Sequence, residues 1–183
     1  MLHADAFIEV DKDITLRRLT RENAQEKFDL IVKNHDHLMP CMPWADFYHD
    51  DIEVMYGFTD SEIEKFDNGI NLGYDIYYQD QLVGSIDFNH VDEENHRVEL
   101  GYWIGAEFTG KGIATRAAAA MTKYAFEKLG MNRVAILACT DNTPSINVAK
   151  RLGFVEEGIL RQYSVLPDGA HDTVVYSKTK ADA

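Results

Sequence analysis

Between Glu99 and Thr115 the chain reads as an alternating strand that runs into a glycine-rich turn and then into a helix of small side chains. The strand is Glu99-Leu100-Gly101-Tyr102-Trp103-Ile104-Gly105; the turn and helix start are Thr109-Gly110-Lys111-Gly112-Ile113-Ala114-Thr115. Such a junction gathers backbone N–H groups and the positive end of a helix dipole around one point, which suits phosphate or pyrophosphate. Glycine also serves tight connections that bind nothing, so the spacing by itself leaves both readings open. The alanines at 114 and 117–120 favour the first, because a bulky ligand can lie against side chains that small. They would equally let the helix approach the sheet.

The order of elements around this junction limits the fold. Ile14–Leu19 alternates like a half-buried strand, and Thr20 stands where a cap would open a helix running to Lys33. Asn34–Tyr48, rich in His, Met and Pro, reads as an irregular loop. Asp50 or Asp51 can start a further helix, and Thr59 with Glu62 has the spacing of a capping box, so one kinked helix or two are expected before Gly69. Strands follow at Asn71–Tyr78, Leu82–His90 and Arg97–Ile104, the first two joined by the turn Gln79-Asp80-Gln81. A helix from Ile113 to about Leu129 aligns Ile113, Ala117, Met121, Ala125 and Leu129 on one stripe, with Gly130 at its C-terminal cap. A short apolar strand, Arg133–Cys139, precedes a helix that Thr143 can cap with Pro144 as its first residue, ending at Gly153. Phe154–Val165 and Thr173–Ser177 form a hairpin around Pro167-Asp168-Gly169. This is an α/β or α+β chain with a mixed sheet, expected to fold as a single domain over residues 1–183.

Charge and cysteine content exclude whole classes of function. A net charge of −13 opposes binding to nucleic acid or anionic membrane and is compatible with a cationic partner. Cys41 and Cys139 fit no metal spacing, and no apolar run reaches spanning length, so a reduced cytoplasmic setting is expected. His35-Asp36-His37 has no third ligand at a fixed distance, so no metal site is expected there.

Three groups could carry chemistry. The glycine turn is one. Asn142 and Ser145 are the second: both suit a helix cap, but Ser145 also falls in the first turn, where its hydroxyl could donate to a developing anion. Glu99 is the third. On an alternating strand it shares a face with Gly101 and Trp103, opposite Val98, Leu100 and Tyr102. Partial desolvation there would raise its pKa toward general-base range; full solvation would leave it a surface residue.

Six motifs in register, from about residue 12 to 178, resemble the GNAT superfamily of N-acetyltransferases. They are Ile14-Thr15-Leu16-Arg17, Gly101-Tyr102-Trp103-Ile104, Gly110-Lys111-Gly112-Ile113-Ala114, Asn142-Thr143-Pro144-Ser145, Arg151-Leu152-Gly153-Phe154 with Glu156-Glu157-Gly158, and Asp172–Tyr176. Within the superfamily the chain is most similar to the Rim-type ribosomal-protein N-acetyltransferases and their bacterial relatives. The resemblance implies a mostly antiparallel twisted sheet with two splayed central parallel strands and about four flanking helices. It implies acetyl-CoA as donor, with the pantetheine arm along the backbone of Trp103 and Ile104. The pyrophosphate would then lie on the amides of Thr109, Gly110, Lys111, Gly112, Ile113, Ala114 and Thr115. It further implies an amine acceptor, either a protein N-terminus or a small molecule, and it admits a homodimer. Asn142 would orient the cofactor, Ser145 protonate the leaving thiolate, and Glu99 act as base through water.

Departures from the family pattern narrow the mechanism. Thr109 stands where many members carry Gln or Arg, Ala149 where the wider family often has a tyrosine acid, and Leu137 where some relatives have a glutamate base. Ser145 and Glu99 are left as the acid and base candidates, beside simple positioning of thioester and amine.

Overall fold

The computed structural model describes residues 3–48 and 50–182. Eight strands form one sheet: β1 (Phe7–Glu9), β2 (Ile14–Arg18), β3 (Leu72–Tyr78), β4 (Gln81–Asp92), β5 (Arg97–Ile104), β6 (Arg133–Cys139), β7 (Val155–Leu166) and β8 (Gly169–Thr179). Their order across the sheet is β1-β2-β3-β4-β5-β6-β8-β7. Every neighbouring pair is antiparallel except β5 with β6, which is parallel. Five α-helices accompany it: α1 (Ala24–Lys33), α2 (His35–Leu38), α3 (Ile52–Asp67), α4 (Ile113–Glu127) and α5 (Thr143–Arg151).

Alternation along the strands divides the apolar residues between two cores. Tyr74, Ile76, Ile86, Phe88, Val98 and Leu100 face the stripe Ile113, Ala117, Met121, Ala125 of α4, and all are buried. Tyr77, Leu82 and Trp103 belong to a second cluster under α1 and α3, with Ile31, Leu38 and Met55. A bulge between Ile76 and Tyr77 lets Leu82 join one cluster and Val83 the other.

Several local expectations are corrected. Asn34–Tyr48 is not irregular: it contains α2 and a 3-10 helix over Pro43–Tyr48. The expected helix from Thr20 begins as a 3-10 turn at Arg21–Asn23, and the Thr20 side chain makes no cap hydrogen bond. One continuous α3 replaces the kinked or paired helices; Asp51 caps it by accepting from the Glu53 N–H, while Thr59 and Glu62 lie inside, buried against the sheet. Asn142, rather than Thr143, caps α5, its side-chain oxygen accepting from the Ser145 N–H at 3.3 Å, so Thr143 is the first helical residue. The β3–β4 connection is only Gln79-Asp80, both at positive φ (51° and 61°), the conformation that matches the twist of a two-residue hairpin. The closing hairpin is longer than its sequence pattern, and β1 was outside the expected set.

At Gly84 β4 runs close against β5. A Cβ built there would collide with the Trp103 carbonyl oxygen, and the atom in the way is backbone. Gly84→Ala is expected to cost about 3 kcal/mol by forcing these strands apart. The check is a lowered urea midpoint at unchanged slope.

Candidate active site

β5 and β6 pair only at Arg97–Arg133, Val98–Val134 and Glu99–Ala135. Beyond Glu99 each strand is held from its outer side alone, β5 by β4 as far as Ile104 and β6 by β8 as far as Cys139. The strands therefore diverge, and a groove of about 960 Å³ opens from their junction toward the glycine turn. Tyr102, Trp103, Ile104, Thr109–Arg116, Asn142, Ser145 and Arg151 line it. Trp103, Ile104, every residue of Thr109–Thr115, Asn142 and Ser145 thus meet in one cleft; Glu99 sits at the strand junction on the other face.

The turn is shaped for anions. Gly110 and Gly112 have φ of +75° and +72°, with nothing within 4 Å of an added Cβ, so backbone conformation rather than crowding demands glycine. Arg116 is the first α4 residue whose N–H reaches a backbone carbonyl, that of Gly112 at 3.0 Å. The amides of Ile113, Ala114 and Thr115 are the orphan donors of the first turn, aimed into the groove mouth. Lys111, Arg116 and Arg151 line the groove with one acid, Asp141, in a chain of net charge −13. Lys111 lies over the Phe108 ring at 5.0 Å, and Arg116 is fixed by Asp11 at 2.8 Å.

At the inner end Tyr102 meets Ser145. The phenol donates to the Ser145 carbonyl at 3.2 Å and lies 3.1 Å from its Oγ. A carbonyl can only accept, so the phenol proton goes there and the serine hydroxyl donates to the phenol oxygen. Burial pushes the Tyr102 phenol up to about 12, with the Ser145 contact pulling the other way, so it stays protonated at neutral pH. Sequence reasoning placed Tyr102 on one strand face with Val98 and Leu100. The side is right, but past the strand junction that side is the groove. Only the register of a distant strand carries this information.

His37 is another residue the sequence did not pick out. Its Nε2 lies 3.2 Å from the Ile104 carbonyl, and since that partner only accepts, Nε2 carries the proton. With Leu38, Cys41 and Met42 it forms one groove wall, behind which Trp44 packs on Trp103 at 6.0 Å between ring centres. The Met39–Tyr48 stretch thus borders the groove. Asn34 fixes this wall to the end of β5, accepting from the Ala106 N–H at 2.8 Å. His35 bonds Asp46 at 3.2 Å, and among the described residues no group of three His, Cys, Asp or Glu side chains is placed to hold a metal.

The opposite sheet face is polar where β3, β4 and β5 adjoin. Lys27 of α1 pairs with Asp75 at 2.9 Å, both buried, and Ser85 donates to the same carboxylate at 3.0 Å. Two residues along β4, Asp87 accepts from the Asn89 amide at 2.9 Å. Burial pushes its carboxyl up to about 7; Lys27, the Gly101 N–H and Asn89 pull down, while Glu62 pushes up. The alternation Ser85-Asp87-Asn89 was the available signal, but one strand of polar alternation reads as a wet face.

With this geometry in view, comparison with known proteins identifies the class. The acetyltransferase (GNAT) domain is matched over residues 13–155. YdaF of Bacillus subtilis (strain 168), by provisional name a ribosomal N-acetyltransferase, is 36% identical over 179 residues, 94% of each chain. The ribosomal-protein-serine acetyltransferase of Escherichia coli (strain K12) is 28% identical over 171 residues, 93% of this chain and 95% of that one. MccE, a microcin self-immunity acetyltransferase solved with acetyl-CoA and AMP, superposes with a TM-score of 0.91 at 30% identity, covering 96% of this chain and 97% of its own. The chain belongs to the GNAT acetyltransferase family and is an N-acetyltransferase.

Tyr102→Phe removes both hydrogen bonds to Ser145, the one to its carbonyl and the one with its Oγ, and no packing. Turnover is expected to fall about 3- to 10-fold, the worth of the bond that holds the Oγ hydroxyl, while thermal stability changes little. Steady-state rates beside a melting curve check this.

Proposed function

We propose that this chain transfers the acetyl group of acetyl-CoA to a protein N-terminal α-amine, of the ribosomal-protein kind named in its relatives. The observation that carries the reading is the divergence of β5 and β6, with phosphate-directed amides at one end and the Tyr102–Ser145 pair at the other. Acetyl-CoA supplies an acetyl group activated as a thioester, on a long carrier with a pyrophosphate. The cleft fits it: an extended arm lies along the edge of Trp103 and Ile104, with Asn142 beside it and the pyrophosphate on Thr109–Thr115.

Each residue then has a task. Ser145, at the first turn of α5 and bonded to Tyr102, delivers a proton to the departing sulfur. Tyr102 holds the Ser145 hydroxyl in place. Glu99, on the far face at the strand junction, passes the amine's proton to solvent through water. An α-amine suits such a site because its ordinary pKa, about 8, leaves much of it neutral near pH 7.5.

A second reading has its own support. The net charge of −13 favours a cationic small amine and repels an acidic protein. Cys41 and Cys139 are both free, in keeping with a reducing, cytoplasmic setting. The edge strand β7 exposes Val155, Ile159, Tyr163 and Val165 by more than half, and a second copy covering it would make the homodimer. Sedimentation should then give twice the monomer mass, and Tyr163→Lys should return it to monomer.

Thiol release from acetyl-CoA, measured against serine- and alanine-initiated peptides and against polyamines, separates the readings. Peptide turnover supports the leading one and polyamine turnover the second; tight CoA binding without turnover on any amine marks a binding module. Ser145→Ala is expected to lower turnover about 100-fold with acetyl-CoA affinity unchanged within about threefold. Unchanged turnover removes Ser145 from the mechanism.

A further inference from the structure

Among the described residues a single acid lines the groove, and it stands at the Ser145 end. Asp141 lies in the turn between β6 and α5, one residue before the Asn142 cap. That turn is held by its backbone: Asn142 donates to the Cys139 carbonyl at 2.9 Å, and Thr143 donates to the Asp141 carbonyl at 2.8 Å. The Asn142 side chain makes the cap to the Ser145 N–H, so the Asp141 carboxylate is not needed for it. The acid thus shares a fixed turn with the hydroxyl at the inner end of the cleft. It also stands by the positive end of the α5 dipole, which favours its charged form.

Charge is graded along the groove. Lys111 and Arg116 stand at the glycine turn and in the first turns of α4, beside the amides that suit a pyrophosphate. Arg151 ends α5, about 12 Å along that helix from its start. Asp141 is at the other end of α5, and Cys41 of the α2 wall lies close to it. Burial pushes the Cys41 thiol up, with Cys139 and then Asp141 adding to the push. The α2 wall and the β6–α5 turn therefore come together where the groove is negative.

Little within the chain neutralises this carboxylate. Among the described residues its only ion-pair partner is the His171 ring of β8, whose Nδ1 lies 3.4 Å away. The other ring nitrogen, Nε2, lies 2.7 Å from Asp168 in the β7–β8 turn. A carboxylate only accepts, so the Nε2 proton goes to Asp168, and a singly protonated ring then offers Asp141 a lone pair and no proton. Asp168 adds a second negative charge behind the first. The Asp141 side chain is 64% exposed, open to a cation from outside the chain.

We propose, on the acetyltransferase reading above, that Asp141 selects acceptors carrying a second, fixed positive charge next to the reacting amine. It takes that second cation, while the reacting nitrogen goes on in neutral form to the thioester beside Ser145. One amine cannot serve both purposes, because pairing with a carboxylate favours its protonated form. A polyamine and a peptide with a basic residue after its N-terminus share this chemistry. The contribution of an exposed carboxylate is modest, about 3- to 5-fold in acceptor discrimination at low salt.

The test uses the full chain and acetyl-CoA with two matched pairs of acceptors. One is a serine-initiated hexapeptide with lysine or glutamine at its second position; the other is spermidine beside butylamine. The ratio of kcat/KM, charged over uncharged, is measured within each pair, and the pair that is acetylated identifies the source of the cation. Asp141→Asn is expected to lower that ratio about fourfold at about 20 mM salt and less than twofold at about 500 mM, where the charges are screened. Asp141→Glu, which keeps the charge, is expected to keep most of the preference, and Asp141→Lys to lower the ratio further than Asp141→Asn. KM for acetyl-CoA should move by less than about twofold in Asp141→Asn, since the phosphate-directed groups lie beyond a screening length. A ratio that Asp141→Asn leaves as it was, or a fall shared equally by both members of a pair, overturns the proposal and leaves the acetyltransferase reading intact. Wild-type chain that acetylates none of the four acceptors overturns that reading, and the proposal falls with it.

Discussion

A parallel strand pair that stops hydrogen-bonding after three residues governs this molecule. β5 and β6 remain straight partners of β4 and β8, so the gap between them cannot close without tearing one of those ladders. Backbone groups on the facing edges need other partners, because an unpaired buried N–H or carbonyl costs about as much as a lost hydrogen bond. The His37 ring meets the Ile104 carbonyl, and Tyr102 turns its phenol across the gap to α5. The divergence therefore creates the groove, and it also decides which side chains face it. Tyr102 belongs to the same strand face as Leu100, yet one is core and the other lines a cleft, because the junction lies just before them.

The sheet also keeps two polar environments apart. On the α4 and α5 side, a phenol held protonated by burial meets a serine hydroxyl. On the α1 and α3 side, Lys27 is neutralised by Asp75 and Lys65 pairs with Glu62. A buried pair of that kind is hard to break, since losing either partner strands a charge at a cost of about 3–5 kcal/mol. It thus serves as a rigid floor for what stands beside it.

Much of this was legible from residues alone, and the exceptions share a cause. The strand, turn and helix from Glu99 to Leu129 follow from alternation, glycine at positive φ and a five-residue apolar stripe, all local signals. Ser145 and Asn142 could be placed because the helix cap fixes them relative to one another. Tyr102, His37 and Asp87 could not, since each owes its surroundings to a strand or helix distant in sequence. Asp87 depends on Gly73 and Gly101, fourteen positions before and after it, whose meaning appears only once three strands are in register. The His- and Met-rich stretch before Tyr48 looked irregular because its helical turns are stabilised by packing on Trp103, not by intrinsic propensity.

Net charge misleads for a related reason. A total of −13 would seem to repel a polyphosphate, but at physiological salt charges are screened within about 8 Å, so a ligand feels its own wall. Here the groove is lined by Lys111, Arg116 and Arg151, and Arg116 keeps its place through Asp11 in the β1–β2 connection. The opposite face concentrates Asp75, Asp87, Glu62 and Glu99. Local fields of opposite sign therefore stand on the two faces of β5, and the total charge describes neither.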